Sequence, residues 1–394
     1  MNLLKLFSYF TSFFKDIIIK VFDILVIGAG ASGLFLANQV KNTNIAILEQ
    51  NESIAKKLLI SGGNKCNFSN DNINKNNYLC DDYEFLDEVL KSFDTKKSLE
   101  FFSQIPFVKI RKQQYFARSS KDVLMQITKN IKAKIFLNQK VLQVSKQNDI
   151  YKINTNKAEF FAKNLVFASG AISFSELGVS DIALNIAKEF NIKYLDFSPA
   201  LVPFTLQKDE FFMKNLSGIS LDVIMKVNDK SFCNSLLFTH KSISGPAVLS
   251  ASLFWKKGKI SIDFLNSKKI DFKSNTSFIN SSLLAKNMAK EFLKAFNLEN
   301  KALNKYTKDE QDILKRLSDY SFAPAGTLGF NKAEICKGGI LLKELNTNFE
   351  SKAHKGLFFI GECLNVGGIL GGFNIHFAFA SAFVLAKYFN KDYI

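Results

Sequence analysis

The chemistry most legible in this chain is the binding of a dinucleotide. In "GAGASG", residues 28 to 33, Gly28 permits a tight turn, Gly30 lets the backbone approach a pyrophosphate, and Gly33 lets the following helix pack close. Ala29, Ala31 and Ser32 complete the loop, and the free N–H groups at the helix start face the phosphates. Glu49 stands 21 residues after Gly28, where a carboxylate accepts hydrogen bonds from a ribose diol. These residues read only the ADP half that NAD and FAD share, so the reactive end of the cofactor must be sought elsewhere.

Further loops offer places for it. "SGGNKCNFSN", residues 61 to 70, brings Gly62, Gly63, Asn64, Lys65, Cys66 and Asn67 together soon after the first loop. Its composition suits an ordinary surface turn as well as a loop wrapped around a cofactor. "ASGA", residues 168 to 171, ends an apolar strand with Ser169 and Gly170, and such strand ends line the crevice of a parallel sheet. The stretch from Gly361 and Glu362 to Gly371, Gly372, Phe373 and Asn374 leads into an apolar helix, whose N-terminus can stabilise negative charge on a reduced flavin. Gln50, Lys57 and Val141 complete the expected cofactor contacts. Strand-to-glycine turns at both ends and in the middle suit one extended cofactor better than a compact nicotinamide domain.

These loops need a frame. Ile24 to Ile27 form the continuous apolar run of a buried parallel strand, and Leu34, Phe35, Ala37 and Val40 a helical stripe after it. Leu357 to Ile360 make a short strand, and Phe377 to Phe389 a mostly buried helix. A length of 394 residues leaves room for two or three domains. The expected class is α/β: a Rossmann-like FAD-binding domain over residues 22–190 and 326–394, preceded by an N-terminal extension, 1–21. An inserted small β domain (191–277) carries a helical subdomain (278–325).

Five motifs keep one order over nearly the whole chain from residue 22: "GAGASG" (28–33), "AKKLLISGGNKCNFSN" (55–70), "ASGA" (168–171), "FTHKSISGP" (238–246) and "GECLNVGGILGGFNIH" (361–376). Together they resemble the HI0933-like flavoprotein family, a branch of the glutathione-reductase-like, two-dinucleotide-binding FAD enzymes that includes the BaiN-type oxidoreductases. The resemblance implies bound FAD, with residues 61 to 70 closing over it near the flavin end. It also implies hydride transfer between the flavin and a small organic substrate or NAD(P)H, the latter as a transient electron donor. Lys65 replaces the family's arginine and Asn64 a glycine, while Asn365, Leu370 and His376 stand where aspartate, threonine and glutamine are common. Substrate identity therefore does not carry over from any one member.

Candidates for proton chemistry are few. Of three histidines, His240 either faces substrate or holds the turn beside Gly245 and Pro246, and His376 either lies near the flavin or caps the last helix. His354 sits in a lysine-flanked loop. No metal-ligand spacing occurs, and five scattered cysteines without CxxC fit a reducing cytoplasm. Lys+Arg 52 against Asp+Glu 36 gives a net charge of +16, yet no long basic block or RNA-binding motif accompanies it. A small-molecule substrate is thus favoured over nucleic acid, with a flavoprotein acting on RNA, or one holding FAD without catalysis, as the alternatives. Residues 1 to 21 have the spacing of an amphipathic helix that could touch a membrane surface.

Overall fold

The computed structural model describes residues 21–111 and 113–391. The N-terminal extension lies outside the described residues up to position 20. Strand β1 (Val21–Ile27) runs parallel between β2 (Ile45–Leu48) and β3 (Glu159–Phe167), with Ile24 opposite Ile45 and Leu25 opposite Leu165. A further parallel strand, Lys134–Phe136, flanks β2. Ile24 to Ile27 are all buried, as the unbroken apolar run of a parallel strand requires.

The outer edge of β3 is divided between two partners. Residues 159 to 162 pair antiparallel with the strand Ile150–Thr155, whereas Leu165 to Phe167 pair parallel with β4 (Leu357–Phe359) from the far end of the chain. Helix α1 (Ala31–Gln39) follows β1, and α2 (Phe373–Lys391) closes the domain against it. Phenylalanine fills the space between them: the Phe35 ring lies 5.5, 4.8 and 5.0 Å from those of Phe93, Phe101 and Phe379.

A second unit is inserted between residues 200 and 335. Its antiparallel sheet has seven strands, in the order Tyr320–Phe322, Ile260–Asp263, Ser220–Val227, Lys230–Phe238, Ser242–Ser244, Phe204–Thr205, Gly326–Thr327. The helices Lys286–Ala295 and Lys308–Lys315 bury Phe292 and Leu314 in the same core as this sheet. Gly326–Thr327 also belongs to the inserted sheet, so the return to the first domain falls after it, at Ile335. The two crossings, Tyr194–Ala200 and Ile335–Ile340, pair with each other as an antiparallel ribbon, with Ala200 opposite Ile335. Among the described residues no helix is long and apolar enough to cross a membrane.

Candidate cofactor and active site

A cavity of about 970 Å³ opens where the ends of β1, β2 and β3 meet the inserted unit, with Ile27, Leu48 and Ala168 on one side and Pro246 and Leu249 on the other. The first glycine loop forms its floor through Gly28, Ala29, Gly30, Ala31 and Ser32. Gly33 lies behind this floor: a Cβ there would fall 2.1 Å from the Gly28 carbonyl oxygen, so only glycine lets α1 start so close to β1. A Cβ on Gly30, by contrast, would meet nothing within 4 Å. Helix α1 begins at Gly30 with no side-chain cap and no acid in its first turn, leaving its leading amides for a ligand.

Glu49 is buried beside this loop. Its Oε2 accepts the Ala29 N–H at 2.9 Å, and its Oε1 accepts both the Asn51 N–H and the Asn51 side-chain amide, each at 2.9 Å. A carboxylate offers about four lone-pair sites, so one remains for a ribose hydroxyl. Val141 and Gln50 line the same part of the cavity, and the Gln50 amide donates to the Gly178 carbonyl.

The segment from 61 to 70 starts as the broken end of a helix and finishes as the strand Asn67–Asn70. Lys56–Asn64 leaves helical geometry at Ser61, where ψ is 143°, and continues through Gly62 and Gly63 with φ of 57° and 65°. The break brings Gly62, Gly63, Lys65 and Asn67 to the cavity wall, whereas Asn64 and Cys66 do not line it. Cys66 is buried, its carbonyl takes the Ala117 N–H, and burial pushes its thiol up to about 12. Earlier in the same helix, Lys57 Nζ donates to Ser173 Oγ at 2.5 Å and to the two Glu362 oxygens at 2.8 and 2.6 Å. Ser169 and Gly170 also line the cavity, and the buried Ser169 hydroxyl has no partner among the described residues.

At the C-terminal loop Gly371, Gly372 and Asn374 reach the cavity. The Asn374 side chain bridges the Gly368 N–H and carbonyl at 2.7 and 2.9 Å, fixing the turn that starts α2. Gly361 and Phe373 stand back from the cavity: the Gly361 N–H is held by Ser381 Oγ at 3.1 Å, and the Phe373 ring packs on Tyr78.

Neither candidate histidine lines the cavity. His376 is fully buried away from the cavity, with Nδ1 3.0 Å from Ser69 Oγ and Nε2 2.8 Å from the Phe93 carbonyl. Both ring nitrogens are occupied, and burial lowers its pKa to about 4, so it stays neutral and ties α2 to the glycine loop. His240 is exposed at a turn of the inserted sheet, outside the cavity lining, and the turn itself is closed by Thr239 and Ser242. Cys363 is buried with its Sγ donating to the Phe167 and Ile360 carbonyls, and burial pushes its thiol up to about 12 as well. Two residues escaped the reading of the sequence: Ser173, which meets Lys57, and Glu334, whose only sequence cue is an acid set between apolar neighbours at a strand start.

The cavity suits FAD by its own features: an open cradle over Gly30, uncapped amides at α1, a free carboxylate lone pair on Glu49 and an orphaned hydroxyl on Ser169. The sequence description HI0933-like protein Rossmann domain matches residues 22–388. The chain belongs to the HI0933-like family. The Rossmann-type parallel sheet described above, with added antiparallel sheets and helices, agrees with that membership. A Haemophilus influenzae protein named ribosomal RNA dihydrouridine synthase is 31% identical over 92% of this chain and 97% of its own. An Escherichia coli protein of the same name is 31% identical over 93% and 97%. A 3-dehydro-bile acid delta(4,6)-reductase of Clostridium scindens is 25% identical over 92% and 97%. Among solved structures, the 3-ketosteroid-delta4-(5alpha)-dehydrogenase of Rhodococcus jostii superposes with a TM-score of 0.51 at 11% identity, covering 94% of this chain and 98% of that one. The family is thus one of FAD-binding proteins with oxidoreductase relatives.

Proposed function

We propose that this protein is an FAD-dependent reductase that saturates the C5–C6 double bond of a uracil in ribosomal RNA, with NAD(P)H as the electron donor. The observation that carries the reading is the 31% identity, over more than nine-tenths of both chains, to two proteins named for that reaction. The chemistry is consistent across the relatives. A Δ4,6 bond in a 3-dehydro bile acid and the C5–C6 bond of uracil are both carbon–carbon double bonds conjugated to a carbonyl. The net charge of +16 supports a polyanionic substrate. A small organic enone is the alternative substrate, favoured by the lack of a long basic block or RNA-binding motif.

Bound FAD would supply the hydride. The chain's own residues hold and orient the cofactor: the leading amides of α1 receive the pyrophosphate, Glu49 the ribose, and the start of α2 favours negative charge on the ring. Leu201, Pro246, Leu249 and Leu370 line the other side of the cavity and keep water from the reacting carbon. The test is anaerobic incubation of the FAD-loaded protein with NADPH and ribosomal RNA from cells lacking the protein, followed by mass spectrometry of the nucleosides. A uridine gaining two hydrogens at one site is expected. Unchanged RNA together with reduction of a steroid enone would replace this reading by a small-molecule one.

A further inference from the structure

Three carboxylates line the cavity, those of Glu49, Glu334 and Glu362. Glu49 is occupied by Ala29 and Asn51, and Glu362 by Lys57, Ser173 and the Cys336 N–H. The carboxylate of Glu334 has no hydrogen-bond or ion-pair partner among the described residues. Its backbone, however, is fixed: the N–H donates to the Leu201 carbonyl at 3.2 Å, and its own carbonyl accepts from Ser173 Oγ at 3.5 Å. A rigid main chain thus presents a free acid to the space between the cofactor cradle and the inserted unit, where Leu201, Leu249 and Leu370 supply only apolar surface.

We propose that Glu334 is the proton donor of the reaction, delivering its proton to C5 of the bound uracil; the assignment rests on the RNA reading above. At the substrate the C5–C6 π bond is lost. C6 would gain a C–H bond with a hydride, the chemistry that bound reduced FAD would supply, and C5 one with the Glu334 proton as the carboxyl O–H bond breaks. Uracil is reduced by two electrons, the cofactor is oxidised by two, and the carboxylate left behind is reprotonated from water. The surroundings favour the neutral acid beforehand. The Glu334 side chain is exposed to the open cavity, yet the protein packed around it thins its hydration and raises its pKa above the ordinary glutamate value, opposed by Lys57, which is itself bound by Glu362 and Ser173. The other titratable neighbours, Glu362 and Cys336, add no positive charge: the first is an anion and the second a thiol pushed up to about 12.

The experiment compares FAD-loaded wild type, Glu334→Gln and Glu334→Asp. Each is reduced with dithionite and mixed in a single turnover with ribosomal RNA lacking dihydrouridine. FAD affinity is measured separately by fluorescence, and the carboxyl proton by infrared titration of the cofactor-free protein. Expected for Glu334→Gln are an FAD Kd within about twofold of wild type, loss of one carboxyl that titrates above the glutamate range, and RNA reduction slowed by about 100-fold or more. Glu334→Asp regains part of the rate, and the decline of the wild-type rate at rising pH is absent from Glu334→Gln. Unimpaired RNA reduction by Glu334→Gln overturns the assignment. So does a large loss of FAD affinity, which would make Glu334 a cofactor anchor. A wild type that binds FAD but reduces no uridine removes the RNA reading and this assignment with it, an outcome distinct from either of those.

Discussion

Lys57 Nζ lies 2.8 and 2.6 Å from the two oxygens of Glu362, joining the helix Lys56–Asn64 to the turn after β4. The pair is partly buried, with side chains 31% and 21% exposed, and Glu362 is further fixed by Ser173 and the Cys336 N–H. The wall of the cavity is thereby held across the two halves of the FAD-binding domain.

Lys57→Met leaves Glu362 without its counter-charge and is expected to cost about 2 kcal/mol of stability, the scale of a lost hydrogen bond to a charged group. Urea unfolding checks this. Replacing both residues by methionine should recover part of the loss, since the stranded carboxylate is then gone too; a double mutant no better than the single one would argue against that account.

Gly30 and Gly33 separate binding from folding. Gly30→Leu places its side chain in open space within the cradle, so circular dichroism should remain native while flavin absorbance is lost from the purified protein. Gly33→Ala instead meets the Gly28 carbonyl and is expected to lower stability by about 1–3 kcal/mol through overpacking.

His376 sets a pH limit on the fold. Its pKa is about 4 in the folded chain against 6.5 unfolded, so above 6.5 both states are neutral and its contribution is fully present. As the pH falls from 6.5 towards 4 the unfolded chain takes up a proton that the fold refuses, and up to about 3 kcal/mol is lost. His376→Gln can still reach Ser69 and the Phe93 carbonyl. It should keep FAD and flatten stability over that pH range; loss of FAD with unchanged pH dependence would contradict this placement.

Ser169 offers a test of the cofactor's extent. Its buried hydroxyl has no partner among the described residues, so Ser169→Ala should leave the cofactor-free stability unchanged or slightly raised. If bound FAD supplies that partner, its Kd should rise by up to about tenfold, a change that isothermal titration resolves.

The cofactor cradle was legible from the sequence because it is written in backbone requirements. Gly28, Gly30, Gly33, Glu49 and the strand Leu357–Phe359 are fixed by turn geometry and by an apolar run that only a covered parallel sheet accommodates. The proton chemistry was not legible in the same way. His376 and Asn374 are two residues apart on one helix, yet one is locked into the core and the other lines the cavity, and only the packing of α2 decides which. Glu334 carries no motif at all. Its interest arises from what Lys57, Ser173 and Leu201 do around it, and those come from distant parts of the chain.

The divided edge of β3 has a consequence for how the protein is made. Leu165 to Phe167 pair with β4, which leaves the ribosome only after the whole inserted unit has been synthesised. Until then three residues of a hydrophobic strand, paired with β1 alone, wait with one edge open, while the inserted sheet, whose strands all lie between residues 204 and 327, has every partner it needs. The later-made unit can therefore fold first, and the earlier-made one stays an open edge, exposed to mispairing and to chaperones, until its last strand arrives.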